Sequence, residues 1–168
     1  MTSPTSTEGR VIVGVSGSPS SEAALRRGAF EARRGGRPLI ALIAWGPPEG
    51  ERLYYAAPCP PLLKVWEANA RGTLLDQLRD NAPYLGDVEV HPMVVRAPAE
   101  DALTLLPEPE DLLVIGGGRG PLGRALHGHV RRRVLSRAGC PVLTARHPPS
   151  ELALQLSARR LRRTALVG

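Results

Sequence analysis

The sequence predicts an α/β fold in which a doubly wound, five-stranded parallel sheet carries helices on both faces. Short aliphatic runs alternate with longer helix-forming segments, and this alternation is typical of parallel strands joined by right-handed crossovers. The 168 residues are 42% hydrophobic, yet they include only two Trp, three Tyr and one Phe. Aliphatic strands and alanine-rich helices must therefore form the core. The length suits one domain with tails.

The N-terminal third predicts a β-α-β unit. The apolar residues 11–15 form the first strand, and Ser18 is expected to cap the following helix with Pro19 in its first turn. Gly36 follows the helix, as a C-terminal glycine predicts. Residues 38–45 are continuously apolar, which indicates a parallel strand covered on both faces.

The middle of the chain is less regular. Residues 46–61 contain five prolines and predict an irregular flap over the sheet edge or over a site. Residues 62–84 predict one helix, with these apolar side chains at helical spacing: Leu63, Trp66, Ala70, Leu74, Leu75 and Leu78. Residues 87–98 predict the third strand, and Pro92 within it indicates an edge position.

The C-terminal part completes the alternation. A short helix is expected over 99–106, a fourth strand over 111–118, a helix over 128–138 and a fifth strand over 141–145. The helix is expected to turn four side chains inward: Val130, Val134, Leu135 and Ala138. We divide the chain into an N-terminal tail (1–9), an α/β domain (10–146) and a basic C-terminal appendage (147–168), either an amphipathic helix or a disordered tail.

Charge and cysteine content narrow the function classes. The net charge is +6, and of the 22 basic residues only Lys64 is lysine, which indicates coding bias more than a binding site. Because the charge lies in several separate places, a nucleic-acid partner is not favoured. Cys59 and Cys140 are far apart, so structural thiols are expected and a metal site is not. No apolar segment approaches the roughly 20 residues of a membrane span, and no leader is visible; a cytoplasmic location without membrane association is expected.

The glycine-rich turns do not match two well-known phosphate-binding signatures. A dinucleotide fingerprint needs GxGxxG after the first strand and an acidic residue after the second, whereas this chain has GVSGSPSS and Trp45 there. A P-loop needs a lysine and a hydroxyl after its second glycine, where this chain has His129 and Val130. NTPase machinery is therefore not expected.

The same turns resemble those of the universal stress protein family. Gly117 and Gly120 form a GxxG pair after the fourth strand, Gly128 follows a few residues later, and "CPVL" begins the fifth strand. The start "VIVGVSGSPSSEAAL" is also similar, so the resemblance covers about residues 10–146. It implies strand order 3-2-1-4-5, a homodimer joined through the last strand (141–145), and in one branch ATP or AMP at the carboxyl end of the sheet.

The resemblance also implies the site residues. The matching positions are Val15, Ser16, Ala44, Gly117, Gly120, Gly128, His129 and Val130. In ATP-binding members the backbone at the Ala44 position meets adenine, an aspartate stands in place of Ser16, and a serine or threonine stands in place of His129. The seven residues between Gly120 and Gly128 are also fewer than the family pattern has. These differences predict a phosphate cradle in shape, with weak or no ATP binding.

Structural interpretations compete with this one. The three glycines of the loop also fit a sharp strand-to-helix turn. Arg131, Arg132 and Arg133 fall in the first turn of the helix expected from residue 128, where the helix dipole disfavours cations, and a solvated face is favoured over an anion site. His127 and His129 lie two residues apart and cannot share a helix face. No catalytic set emerges, so an enzyme is not expected.

Three functions fit the sequence. The leading one is a non-enzymatic regulatory or sensing module of the universal stress type that acts as a homodimer and has a degenerate nucleotide-type pocket. A genuine ATP- or AMP-binding universal stress protein is the alternative within this class. The second is an interaction protein without a small ligand, whose basic C-terminal tail docks an acidic protein partner. The third, a nucleic-acid binder that uses the arginine tail, is the least favoured.

Overall fold

The computed structural model describes residues 9–117 and 121–146, and of 121–127 the backbone alone. The elements run in this order: β1 (Val11–Gly14), α1 (Pro19–Gly35), β2 (Leu39–Trp45), α2 (Glu51–Ala56), α3 (Pro60–Asp80), α4 (Ala82–Leu85), β3 (Val90–Arg96), α5 (Ala99–Leu105), β4 (Leu112–Gly116), α6 (Pro121–Arg137) and β5 (Val142–Ala145). The five strands form one sheet of order β3-β2-β1-β4-β5. Every strand pair is parallel, which confirms the predicted fold class and strand order. Gly120 and both predicted tails, 1–9 almost entirely and 147–168 wholly, lie outside the described residues.

Alternating side chains along the strands form two cores, one on each face. Val11 and Val13 of β1 pack with α1 and Leu74 of α3. Ile12, between them, points to the other face and belongs with Leu103 of α5 and Val134 of α6. This alternation is the period-two pattern of a strand covered on both sides. Helices therefore flank the sheet on both faces, as the sequence predicts.

The first helix begins and ends where its sequence predicts. The Ser18 hydroxyl accepts a hydrogen bond from the Ser21 N–H (3.3 Å), and Pro19 begins the helix. Gly36 caps the C-terminus in the left-handed region, at φ 62°, which costs glycine little. Within α1, Gly28 lies against Val13 so closely that a Cβ would collide with that side chain, and the helix can approach β1 because no side chain intervenes.

Two helices differ from the sequence prediction between β2 and β3. The segment 46–61, which contains five prolines and is expected to be irregular, includes a six-residue helix, α2. The predicted single helix over 62–84 ends at Asp80, and the short α4 follows. Pro83 lacks the N–H that would continue the ladder. Of the expected inward residues, Leu74 is buried, but Leu75 is 44% exposed.

The largest correction concerns α6. The helix expected to begin at Gly128 begins at Pro121, because proline is favoured in a first helical turn and the internal glycines do not end the helix despite their low propensity. Arg131 therefore lies in the middle of α6 rather than in its first turn. Val134 is buried as expected, whereas Leu135 is 52% exposed.

The strand order puts β3 and β5 at the two edges of the sheet. β3 pairs with β2 alone among the described strands, with Pro92 opposite Ala41, so the edge position predicted from this proline is confirmed. β5 pairs with β4 from Leu113↔Val142 to Gly116↔Ala145. Its outer edge carries no strand within the described part of the chain.

Candidate functional site

A cavity of about 240 Å³ opens at the carboxyl ends of β1, β2 and β4. The chain segments that line it are Gly14 to Ser16, Leu42 to Ala44, Ile115 and Gly116, Ser20 and Ser21 of α1, Ala99 and Leu103 of α5, and Val130 and Arg131 of α6. In the order β3-β2-β1-β4-β5, the chain leaves β1 toward β2 and later returns to β4 on the other side. Such a switch point is where open parallel sheets bind ligands, and we call this space the switch-point cavity.

A row of three serine hydroxyls borders the switch-point cavity, and its two end members, Ser16 and Ser20, belong to the lining. The Ser16 and Ser18 oxygens are 2.9 Å apart, and those of Ser18 and Ser20 are 3.0 Å apart. These three residues, the serine row, surround the first turn of α1, where the unpaired backbone N–H groups give the helix a positive end. The hydroxyls and the helix N-terminus can both donate to an anion.

Close packing at Gly116 brings β4 up to this wall. A Cβ on Gly116 would lie 2.6 Å from the backbone oxygen of Ser20, a distance that no side chain tolerates. Glycine at the end of β4 is therefore required for the strand to reach the first turn of α1. This approach closes the floor of the cavity.

Four predicted site residues meet in the cavity. Val15, Ser16, Ala44 and Val130 all belong to its lining, although they come from three distant parts of the sequence. Val15 is buried and Ser16 is exposed at the rim. The resemblance therefore identified residues that the fold brings together.

Gly117, Gly128 and His129 do not belong to the cavity lining, and Gly120 lies outside the described residues. The Gly117 N–H donates to the Ala145 oxygen at 2.6 Å, so it is engaged between β4 and β5, and a Cβ there would meet Thr144 at 2.9 Å. Gly128 lies inside α6, and His129 is exposed; neither belongs to the cavity lining. Gly128 lines a separate depression with Arg131, Arg132, Leu135 and Ser136. The structure thus favours the close-approach interpretation at Gly117.

Arg131 is the main lining residue that sequence reasoning missed. The sequence predicts that Arg131 belongs to a solvated arginine face, because the helix is expected to begin at Gly128, seven residues after its observed start at Pro121. The inward register of Val130 and Val134 was nevertheless visible in the sequence. Because this register places Val130 against the sheet, the sequence could have predicted that Arg131, the next residue, lies beside the cavity.

Two ionisable groups with shifted pKa values, Asp111 and Cys140, lie outside the cavity lining, just before the amino-terminal ends of β4 and β5. Burial raises the pKa of Asp111, but hydrogen bonds from the Arg10 side chain and from the backbone N–H groups of Glu108 and Arg10 outweigh that effect, and the net pKa is lowered. Burial raises the pKa of the Cys140 thiol, and a buried thiol of raised pKa is a poor nucleophile. The Asp111 hydrogen bonds join the starts of β1 and β4, at the end of the sheet opposite the cavity.

Metal-ligand clusters and membrane-spanning helices are both absent from the described ranges 9–117 and 121–146. No group of three or more His, Cys, Asp or Glu side chains there is arranged to hold a metal ion. No helix in the same ranges is long and apolar enough to cross a membrane.

A model of the universal stress protein family matches residues 8–146. A universal stress protein of Mycolicibacterium smegmatis is 34% identical over 142 residues, which cover 81% of this chain and 45% of that protein. The chain spans about half the length of the curated relatives it matches.

Solved structures agree with the family match. A universal stress protein crystallised in complex with cAMP is 25% identical, with a TM-score of 0.56 over 83% of this chain and 98% of that one. UspA from Lactobacillus plantarum, 23% identical, shares the fold with a TM-score of 0.58 over 82% of this chain and 97% of that one. The sheet order, the matched residues and these likenesses lead to one conclusion: the chain belongs to the universal stress protein family.

Proposed function

We propose that this protein is a non-enzymatic regulatory or sensing module that acts as a homodimer and binds an AMP-type nucleotide in the switch-point cavity. The observation that carries the proposal is the joint presence of Val15, Ser16, Ala44 and Val130 in that cavity. A relative of 25% identity was crystallised with cAMP, which supports the ligand class. ATP is expected to bind weakly or not at all.

Weak ATP binding follows from the contacts that this chain lacks. Ser16 supplies a hydroxyl where ATP-binding members supply a carboxylate, and His129 is exposed outside the cavity lining. A hydrogen bond that involves a charged group contributes about 1.5–3 kcal/mol. At 1.4 kcal/mol per tenfold, two missing contacts weaken binding by about two to four orders of magnitude.

A binding role fits the lining better than a catalytic one. Apart from Ser16, Ser20, Ser21 and Arg131, the walls are aliphatic side chains and backbone. Within the described lining, no serine has a histidine or carboxylate beside it to act as a base, whereas nucleophilic catalysis needs such a partner. The module is therefore proposed to hold a ligand without transforming it.

The homodimer is proposed to form through β5. Thr144 is exposed, and Val142 and Leu143 are half-buried. An apolar strand at a sheet edge tends to pair with another chain unless it is covered. A second copy of β5, antiparallel across a two-fold axis, would satisfy this edge.

A second candidate, an interaction protein without a small ligand, is favoured by one surface. Leu53 and Tyr55 of α2 are 61% and 71% exposed, and Leu62 and Val65 of α3 are also exposed. Exposed apolar side chains grouped on neighbouring helices are typical of protein contacts. An acidic partner for residues 147–168 stays a prediction, since that segment lies outside the described residues.

Calorimetry with AMP, cAMP and Mg-ATP, beside sedimentation velocity, tests the proposal. We expect AMP or cAMP to bind more tightly than Mg-ATP, and the protein to sediment as a dimer. Micromolar Mg-ATP binding would contradict the weak-ATP proposal. Absence of binding by all three nucleotides would favour the interaction protein.

A further inference from the structure

We propose that Arg131 recognises the anionic group of the ligand in the switch-point cavity, and that the cavity therefore selects a metal-free nucleoside monophosphate over a magnesium-bound triphosphate. This inference rests on the proposed function, because it requires that the cavity bind a nucleotide. It assigns the selectivity to a residue of α6 rather than to the glycine loop.

The first argument is charge. Arg131 is the only ionisable side chain among the described residues that line the cavity. Its neighbour Arg133 pairs with Glu100 of α5, with NH1 and Oε1 3.6 Å apart, whereas no ion pair involves Arg131 among the residues that the structure describes. Arg131 as a whole residue is half-buried beside aliphatic walls, and an anion in the cavity would compensate for the water contacts that burial removes from a charged group.

The second argument is position. The serine row and the N-terminus of α1 belong to one face of the sheet, and α6 packs on the other. Arg131 therefore meets the cavity from the side opposite the neutral donors. The planar fork of arginine fits two phosphate oxygens at once, and a phosphate between these two walls would receive donors from both.

The third argument is the absence of carboxylates from the lining. Mg²⁺ sites in proteins use one or two carboxylates together with substrate phosphates. No Asp or Glu lines the described cavity, and the sequence from residue 117 to 129 contains none either. An arginine in place of an acidic residue neutralises a phosphate directly, without a metal.

The fourth argument is size. The cavity volume of about 240 Å³ lies just below the range of about 300–1,000 Å³ typical of small-molecule pockets. A compact ligand suits this volume better than an extended triphosphate with its bound metal. Volume and charge thus favour the same ligand class.

The test compares AMP with adenosine, its neutral counterpart, by calorimetry. Native protein is expected to bind AMP more tightly than adenosine. Arg131→Gln should weaken AMP binding by about tenfold to a hundredfold, the worth of one charge-assisted hydrogen bond, and leave adenosine binding unchanged. Arg137→Gln is the matched control, since it removes the same charge from an exposed position on α6 outside the cavity lining.

The outcomes separate this inference from the proposed function. If native protein binds neither AMP nor adenosine, the proposed function fails and the inference fails with it. If native protein binds AMP and the AMP-to-adenosine ratio is the same in Arg131→Gln, only the role of Arg131 is overturned. Tighter binding of Mg-ATP than of AMP overturns the metal-free selectivity. Arg131→Lys, which keeps the charge without the fork, should retain part of the preference and guards against misfolding of the glutamine variant.

Discussion

Asp111 is expected to contribute more to stability than any exposed carboxylate of this protein. Its side chain is 2% exposed and accepts hydrogen bonds from the Arg10 backbone N–H (2.6 Å), from two Arg10 guanidinium nitrogens (3.2 and 2.6 Å) and from the Glu108 N–H (2.9 Å). These bonds join the starts of β1 and β4, whose carboxyl ends form the switch-point cavity. Asp111→Asn removes the charge and turns an NH₂ group toward these donors.

The expected loss in the free energy of unfolding follows from the hydrogen-bond donors that Asp111→Asn leaves without a charged acceptor. Each hydrogen bond to a charged group contributes about 1.5–3 kcal/mol, and breaking a buried ion pair costs about 3–5 kcal/mol. The Arg10 side chain is 34% exposed, so water screens part of the pair. We expect the free energy of unfolding to fall by about 2–3 kcal/mol, which lowers the melting temperature by roughly 4–12 °C for a chain of this length.

The same carboxylate predicts a pH dependence. The pKa of Asp111 is lowered in the folded protein, whereas the unfolded value is near 3.9. Its stabilisation is therefore fully present above the unfolded pKa and is lost as pH falls through the folded pKa. The deficit of Asp111→Asn should be largest at neutral pH and should shrink below about pH 4.

Urea unfolding at pH 7 and at pH 3 measures both effects. Asp76→Asn is the control, because Asp76 is 65% exposed and, among the described residues, forms an ion pair with Arg79 alone, three residues away; its effect should stay within about 0.5 kcal/mol. A loss below about 0.5 kcal/mol for Asp111→Asn, or an equal loss at both pH values, would refute this reasoning.

Three further predictions concern the dimer edge, the C-terminal segment and the cavity floor. Thr144→Arg should yield monomers in sedimentation velocity, because Thr144 is exposed on β5, whereas Leu143 packs against the core; a dimeric variant would place the interface elsewhere. Truncation after His147 should change the stability by about 1 kcal/mol or less, a few degrees in melting temperature, and a larger loss would show that the segment packs on the domain. Gly116→Ala should lower the melting temperature, because its Cβ would lie 2.6 Å from the Ser20 oxygen; an unchanged value would mean that α1 shifts freely.

The sheet could be predicted because its signals are local and strong. Continuous apolar runs, the Ser18 cap, Gly36 and Pro92 each fix one element through backbone chemistry, and each prediction is confirmed. The strand order came with the family resemblance, since apolar runs alone do not say which strands are neighbours.

The helices around the site were harder to predict. The prolines around α2 gave no local signal for a helix. Arg96 of β3 holds α2 against the strand by donating two hydrogen bonds to Glu51, 2.9 and 2.7 Å long. That contact spans 45 residues of sequence, so no local pattern reports it. In α6 the internal glycines indicated a loop, and the resulting late start concealed Arg131. In α2 a tertiary contact overrides local propensity, whereas in α6 the proline of the first turn determines where the helix begins.

Calorimetric titration of AMP into native protein and into Ala44→Trp tests most directly whether the switch-point cavity is the binding site. Ala44 lines the cavity and is half-buried at the end of β2, so an indole there fills the space. Arg52→Trp, at an exposed position of α2 outside the cavity lining, is the control. Native protein and the control should bind AMP, and Ala44→Trp, once circular dichroism has verified its fold, should not. Equal AMP affinity in all three proteins would contradict a ligand site in the switch-point cavity.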